Sequence, residues 1–176
     1  MDTHETLLET RRFRVVRHSY RTRDGREHQR ETVFHPGAVT ILPMVDADHV
    51  CLIRNYRPSV DQTLLELPAG TLEPGEDPLR AAGRELEEET GYRARSIERL
   101  HEFYMSPGIL SERMHVYLAT ELEPGEQDLD AGEQIDNLVV SWDEALAMTQ
   151  DGRIQDAKTL AGLLIYELVR QRSRKR

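Results

Sequence analysis

One cysteine, one tryptophan and three phenylalanines in 176 residues limit this chain before any pattern is considered. The single thiol, Cys51, cannot close a disulfide within the chain. It sits in the apolar run "VCLI", where a buried free thiol is expected. That excludes the disulfide-stapled class of small secreted domain and points to a cytoplasmic protein. No apolar run approaches the roughly 20 residues that a spanning helix needs. The first residues carry no apolar stretch of the signal-peptide kind, so neither a membrane partner nor a secretory route is expected. A positive balance is also missing. The 32 acidic and 23 basic residues give a net charge of −9, which argues against nucleic acid as a partner. The basic C-terminal "RQRSRKR" reads as a frayed, solvated tail.

What is present suits one domain. Apolar residues make up 38% and charged residues 31%, enough for a single core. Residues 8–34, which include "FRVVRHSYRTRDGREHQRETVF", alternate as short strands do, and Asp24-Gly25 is a hairpin turn signal. Residues 1–36 therefore read as an N-terminal β-hairpin extension before a main domain of 37–176. "GAVTILPMV", "HVCLIRNYR" and "TLLELPAG" read as strands, the last stopped by Pro68 and Gly70. "ARSIERLHEFYMS" and "RMHVYLATEL" read as two more, followed by an acidic loop, "EPGEQDLDAGEQ". Ser141 with Glu144 resembles a capping box opening a short helix, and a last helix spans about 156–170. Its Leu160, Leu163, Leu164, Tyr166, Leu168 and Val169 read as core. The fold class is α+β, in an α/β/α sandwich with a mixed sheet.

The clearest helix lies between Asp77, a plausible N-cap before Pro78, and Gly91, placed as a C-terminal glycine. Leu79, Ala82, Gly83, Leu86 and Thr90 share its apolar face. Four of its last residues, Glu85 and Glu87 to Glu89, are acidic. Glu85, Glu88 and Glu89 fall at i, i+3 and i+4, on one side. Their repulsion and the helix dipole both work against local stability. Three such carboxylates would suit Mg²⁺ or Mn²⁺, although on charge alone a solvated acidic face is the commoner explanation.

The surrounding spacing adds to that. From Gly70, five residues lead to Glu76 and seven more to Arg84. Glu85, Leu86, Glu88, Glu89, Gly91 and Tyr92 then follow in the pattern G-x5-E-x7-R-E-U-x-E-E-x-G-U, where U is apolar or aromatic. All nine defined positions match over 23 residues, and the chain resembles the Nudix hydrolases. The resemblance covers about residues 30–170. It implies the Nudix fold and Mg²⁺-dependent hydrolysis of a nucleoside diphosphate linked to another group, with Mn²⁺ as a possible substitute. It implies metal ligation by Glu85, Glu89, Glu88 and the Ala69 carbonyl. It gives Glu76 and Arg84 a structural pairing, and Gly70 and Gly91 a role in shaping the backbone.

Substrate class rests on features outside that pattern. Pro107, sixteen residues after Gly91 within "SPG" (Ser106 to Gly108), matches the ADP-ribose pyrophosphatase subfamily; Ser-Pro-Gly is also an ordinary turn. Glu112 follows in the same loop and matches a general base in similar enzymes, with Glu88 as the alternative base. Arg57 matches an arginine near the substrate phosphates, Glu73 a residue near the pocket, and Arg30 and Glu31 residues presented to the nucleoside across a dimer interface. Tyr56 and Phe34 read as packing residues before stacking ones. The resemblance implies a homodimer that exchanges the N-terminal extension. The expected activity is hydrolysis of ADP-ribose to AMP and ribose 5-phosphate. The alternatives are a broader hydrolase of compounds such as GDP-mannose or CDP-glucose, and a non-catalytic module that senses nucleotide sugars. Such modules usually lose the box glutamates that this chain keeps.

Overall fold

Strand β4 (Ala38–Pro43) is buried along its whole length and shows how the layers form. Successive side chains of a strand point to opposite faces. Val39 and Ile41 enter one apolar cluster with Ala81, Ala82 and Leu86, while Leu42 enters another with Trp142, Met148 and Leu163. A strand that is apolar on both faces needs a helix layer on each side, and that is the expected α/β/α sandwich.

The computed structural model describes residues 4–174, so the ends of the expected 1–36 and 37–176 segments lie outside it. The remaining strands are β1 (His4–Glu9), β2 (Arg14–Arg21), β3 (Glu27–Phe34), β5 (His49–Arg57), β6 (Gln62–Glu66), β7 (Ala69–Thr71), β8 (Arg93–Tyr104), β9 (Arg113–Glu123) and β10 (Ile135–Ser141). The helices are α1 (Pro78–Thr90), α2 (Trp142–Gln150) and α3 (Ala157–Arg174). The main sheet runs β7-β4-β9-β8, parallel between β4 and β9 and antiparallel elsewhere. A second sheet runs β10-β5-β6, and β1-β2-β3 form a third.

Several expectations change. The N-terminal extension is three strands, not a hairpin, because β1 pairs along β2. The turn at Asp24-Gly25 stands as expected, with Gly25 at φ 81°. The stop at Gly70 does not hold: Gly70 lies inside β7, paired with Val39. Strand β10 was not anticipated, since its alternating residues sit between an acidic loop and a helix cap; it pairs antiparallel with β5. Leu79 is exposed in the first turn of α1, and Ala81 takes its place in the core. In α3, Leu163 is fully buried, but Leu164, Leu168 and Val169 face outward. Residues 170–174 are not a frayed tail. They continue α3, and the Arg170 guanidinium lies 5.1 Å from the Trp142 ring.

Candidate active site

The end of α1 is built by its caps. Asp77 accepts from the Leu79 and Arg80 amides, and Pro78 starts the helix. Gly91 closes it at φ 74°, its N–H bonded to the Glu87 carbonyl at 2.7 Å. Between these caps, α1 presents Glu85, Glu88 and Glu89 to β7 and to the loop that follows it. A cavity of about 240 Å³ lies there, lined by Glu85, Glu88, Glu89, Arg84, Gly70 and Arg57, among others.

Arg84 organises this group. Its Nε and Nη2 donate to both oxygens of Glu76 at 3.0 Å, and its Nη1 donates to Glu85 and Glu88, each at 2.8 Å. The Glu76–Arg84 pairing expected from the sequence is therefore present. Glu76 also accepts from the Glu73 amide at 3.0 Å, which closes the loop ahead of α1. The Arg84 hydrogen bonds hold Glu76 below the usual carboxylate range.

The acidic face is not a solvated one. Glu89 is 4% exposed, with its carboxylate accepting from the Ala69 amide at 2.8 Å. Burial, with the charges of Glu85 and Glu133, pushes its pKa up to about 8, against the opposing pull of that amide and of Arg57. Burial, with Glu88 and Glu133, pushes Glu85 up to about 7, against Arg84. Both carboxyls disfavour ionisation as they stand, and a hard divalent cation among them would relieve burial and repulsion together. That is the chemistry a metal centre requires. The three box carboxylates do not meet at one point as they stand: Arg84 Nη1 bridges Glu85 and Glu88, while Glu89 binds the Ala69 amide. Among the described residues no group of three or more His, Cys, Asp or Glu is arranged to hold an ion.

Gly70 is dictated by this arrangement. A Cβ at that position would lie 1.8 Å from the Glu85 carboxyl carbon. Gly91 meets a similar limit from the backbone of Gly125, 2.8 Å from its would-be Cβ.

Arg57 joins three cavities: the acidic one, a second of about 370 Å³ and a third of about 640 Å³. Glu73 lines the acidic cavity, as expected. Glu112 lines the second cavity, not the acidic one, and lies 3.8 Å from His35 Nδ1. Pro107 and Gly108 form the turn before it and line none of the three cavities. Arg30 and Glu31 lie on β3, where Glu31 pairs with Arg17; within one chain neither reaches the site. Tyr56 is not a packing residue. It is 40% exposed in the third cavity, its hydroxyl donating to Asp61 at 2.7 Å. Phe34 packs beside the His18 ring, 5.1 Å between centroids.

The sequence reading missed several residues here. Glu133 and Asp130, from the acidic loop before β10, line the acidic cavity. That loop is tied to the end of α1: the Asp128 amide donates to the Glu88 carbonyl at 3.0 Å. The loop's acidity was a visible signal, but its destination was not. Arg12 arrives from the β1–β2 turn, and Glu66 and Lys158 line the second cavity. A glutamate between Leu65 and Leu67 in an apolar strand was the available sign for Glu66.

The NUDIX domain family model matches residues 34–163. The chain is 39% identical over 147 residues to the ADP-ribose pyrophosphatase of Bacillus subtilis (strain 168), covering 82% of this chain and 80% of that one. It is 40% identical over 133 residues to a GDP-mannose pyrophosphatase of Yersinia enterocolitica, covering 70% and 69%. A solved structure described as an ADP compounds hydrolase superposes with a TM-score of 0.85 at 27% identity, covering 98% of this chain and 95% of that one.

Proposed function

The chain belongs to the NUDIX family of hydrolases, and from that premise we propose that it cleaves the diphosphate bond of ADP-ribose to AMP and ribose 5-phosphate. One observation carries this reading: the buried Glu89 and the largely covered Glu85 share a cavity with Arg57 at its junction with two further cavities. A diphosphate has two substituents, and a site between two roomy cavities accommodates both. The similarity to an ADP-ribose pyrophosphatase supports the choice of substrate.

Glu85, Glu89 and Glu88, with the Ala69 carbonyl, would hold magnesium, or manganese in its place. A divalent ion held there would supply charge against the diphosphate oxygens and lower the pKa of a bound water. The chain's own groups do the rest. Arg57 donates to diphosphate oxygens from a planar fork. Arg84 keeps Glu85 and Glu88 in place. We put the base at Glu133, which lines the same cavity as Glu85 and Glu89, ahead of Glu112 in the neighbouring cavity and of Glu88, which is bonded to Arg84. Glu133→Gln is expected to lower kcat by about 100-fold or more, and Glu112→Gln to act mainly on KM. The reverse ranking returns the base to Glu112.

The assay is AMP release with Mg²⁺ over a panel of nucleotide sugars. Preference for ADP-ribose supports the narrow reading. Equal rates on GDP-mannose, which the second relative's name suggests, favour the broader hydrolase. No release from any of them favours a sensing module. A homodimer is part of the proposal, supported by the outlying N-terminal sheet and its exposed Leu7, Leu8 and Phe13. Arg30 and Glu31 would then face the partner's site. Cytoplasmic placement rests on the free thiol of Cys51.

A further inference from the structure

We propose that Glu66 is a positioning residue for the diphosphate site: it sets where Arg57 presents its guanidinium, and Lys158 with Asp156 sets Glu66. This rests on the reading of Arg57 as a diphosphate ligand and extends it one shell outward.

Glu66 is 1% exposed at the inner end of β6. Arg57 donates to it through Nε at 2.7 Å and Nη2 at 2.6 Å, one bond to each carboxylate oxygen. A bidentate pair of this kind fixes the plane of the guanidinium as well as its distance. It uses one edge of the fork, leaving Nη1 and the second Nη2 proton for a ligand. The oxygen that accepts from Nη2 also accepts from Lys158 Nζ. Lys158 pairs in turn with Asp156 at 3.0 Å. Asp156 accepts from the amide and hydroxyl of Thr159 at 2.9 and 2.6 Å, and the Thr159 hydroxyl oxygen accepts from the Leu67 amide at 2.8 Å. The connections thus run from Arg57 on β5, through Glu66, to the first turn of α3, and back to the residue beside Glu66.

Two acids and two cations balance in this cluster. Burial alone would raise the Glu66 pKa, but the hydrogen bonds and charge of Arg57 and Lys158 outweigh it and keep the group ionised. Buried ion clusters contribute little net stability compared with apolar packing of the same volume, but they do fix orientation. Here the oriented side chain lines all three cavities of the site. The choice of lysine fits this role. The chain has two lysines among its 23 basic residues, and one of them is this buried cation. A compact ammonium reaches Glu66 and Asp156 from one point without competing for the planar edge that Arg57 uses.

The test is steady-state hydrolysis of ADP-ribose by the wild type, Glu66→Gln, Arg57→Ala and the double variant, with calorimetric titration of ADP into the same proteins. Glu66→Gln is expected to raise KM and the Kd for ADP about tenfold or more, with kcat within about twofold of wild type. On top of Arg57→Ala it should add less than about twofold, because its effect passes through Arg57. A purely structural role would lower thermal stability in both backgrounds without that non-additivity. Glu66→Gln combined with Lys158→Met leaves no stranded buried cation, so it covers the case in which the single variant does not fold; the same rise in KM and Kd is expected. Unchanged KM and Kd in the folded Glu66 variants overturn the proposal, as do effects of Glu66→Gln and Arg57→Ala that multiply. If the wild type binds ADP but leaves ADP-ribose intact, the functional reading fails alone and the Kd series still decides the role of Glu66. A wild type that does not bind ADP overturns both.

Discussion

A carboxyl that titrates at about 8, as Glu89 does, is held neutral by burial and by neighbouring negative charge. Its folded pKa lies above the ordinary carboxylate value, so its contribution to stability is complete below that value and is lost as pH rises through about 8. Glu85 behaves the same way through about 7. In EDTA the melting temperature is therefore expected to fall between pH 6 and 8.5. Added Mg²⁺ should flatten that fall, and Glu89→Gln should reduce it while lowering kcat by orders of magnitude; differential scanning calorimetry and AMP release check the two halves. Gly70→Ala belongs to the same scale. Its methyl group would overlap the Glu85 carboxyl, 1.8 Å away, so Glu85 must move. A loss of about 100-fold in kcat/KM is expected from a displacement of that size, measured with ADP-ribose. Glu85, Glu89, Gly70 and Arg84 were all legible from sequence, because the spacing that identifies them is the spacing of a single loop and helix.

At the scale of elements, α1 shows how local signals set a site. Its N-cap, first-turn proline and C-terminal glycine were all readable, and together they fix the rotation at which the glutamates face β7. Asp77→Ala is expected to cost about 1 kcal/mol of stability, as removing such a cap commonly does, measured by urea unfolding. The identity of the buried face was less legible. Helical spacing selects a stripe, but the sheet beneath decides which edge of that stripe is covered, so Ala81 is buried and Leu79 is not. In the last helix, apolar type alone suggested a core role for Leu164 and Leu168. That helix lies on the outside of the sandwich, so one side meets the sheet and the other does not. Strand β10 was illegible for a related reason: its pairing partner, β5, lies some eighty residues earlier in the chain.

For the whole molecule, the N-terminal sheet is the least self-sufficient part. All six residues of β1 are exposed, and of that sheet Val16 alone is fully buried. A three-stranded sheet with so little apolar cover needs a second surface to pack against. Sedimentation is expected to give about twice the 20.3 kDa chain mass, and Leu8→Glu to shift it toward the monomer. The centre of the molecule behaves oppositely. Cys51 is fully buried, and burial raises its thiol pKa to about 11. It should resist alkylation at pH 8 in the native protein and react once urea exposes it, a difference that mass spectrometry reads directly.

The sequence by itself determined the loop and helix that carry the carboxylates and the family they belong to. Those features depend on neighbours within 23 residues, and helical periodicity and caps act over that range. Tertiary structure decided which groups face them. Lys158 and Glu66 meet across 92 residues, Glu133 swings in from a loop whose sequence has no periodicity, and Arg12 comes from a turn in another sheet. Such meetings follow from the packing of β4 between two helix layers, which depends on the whole set of buried side chains and leaves no fixed spacing along the chain.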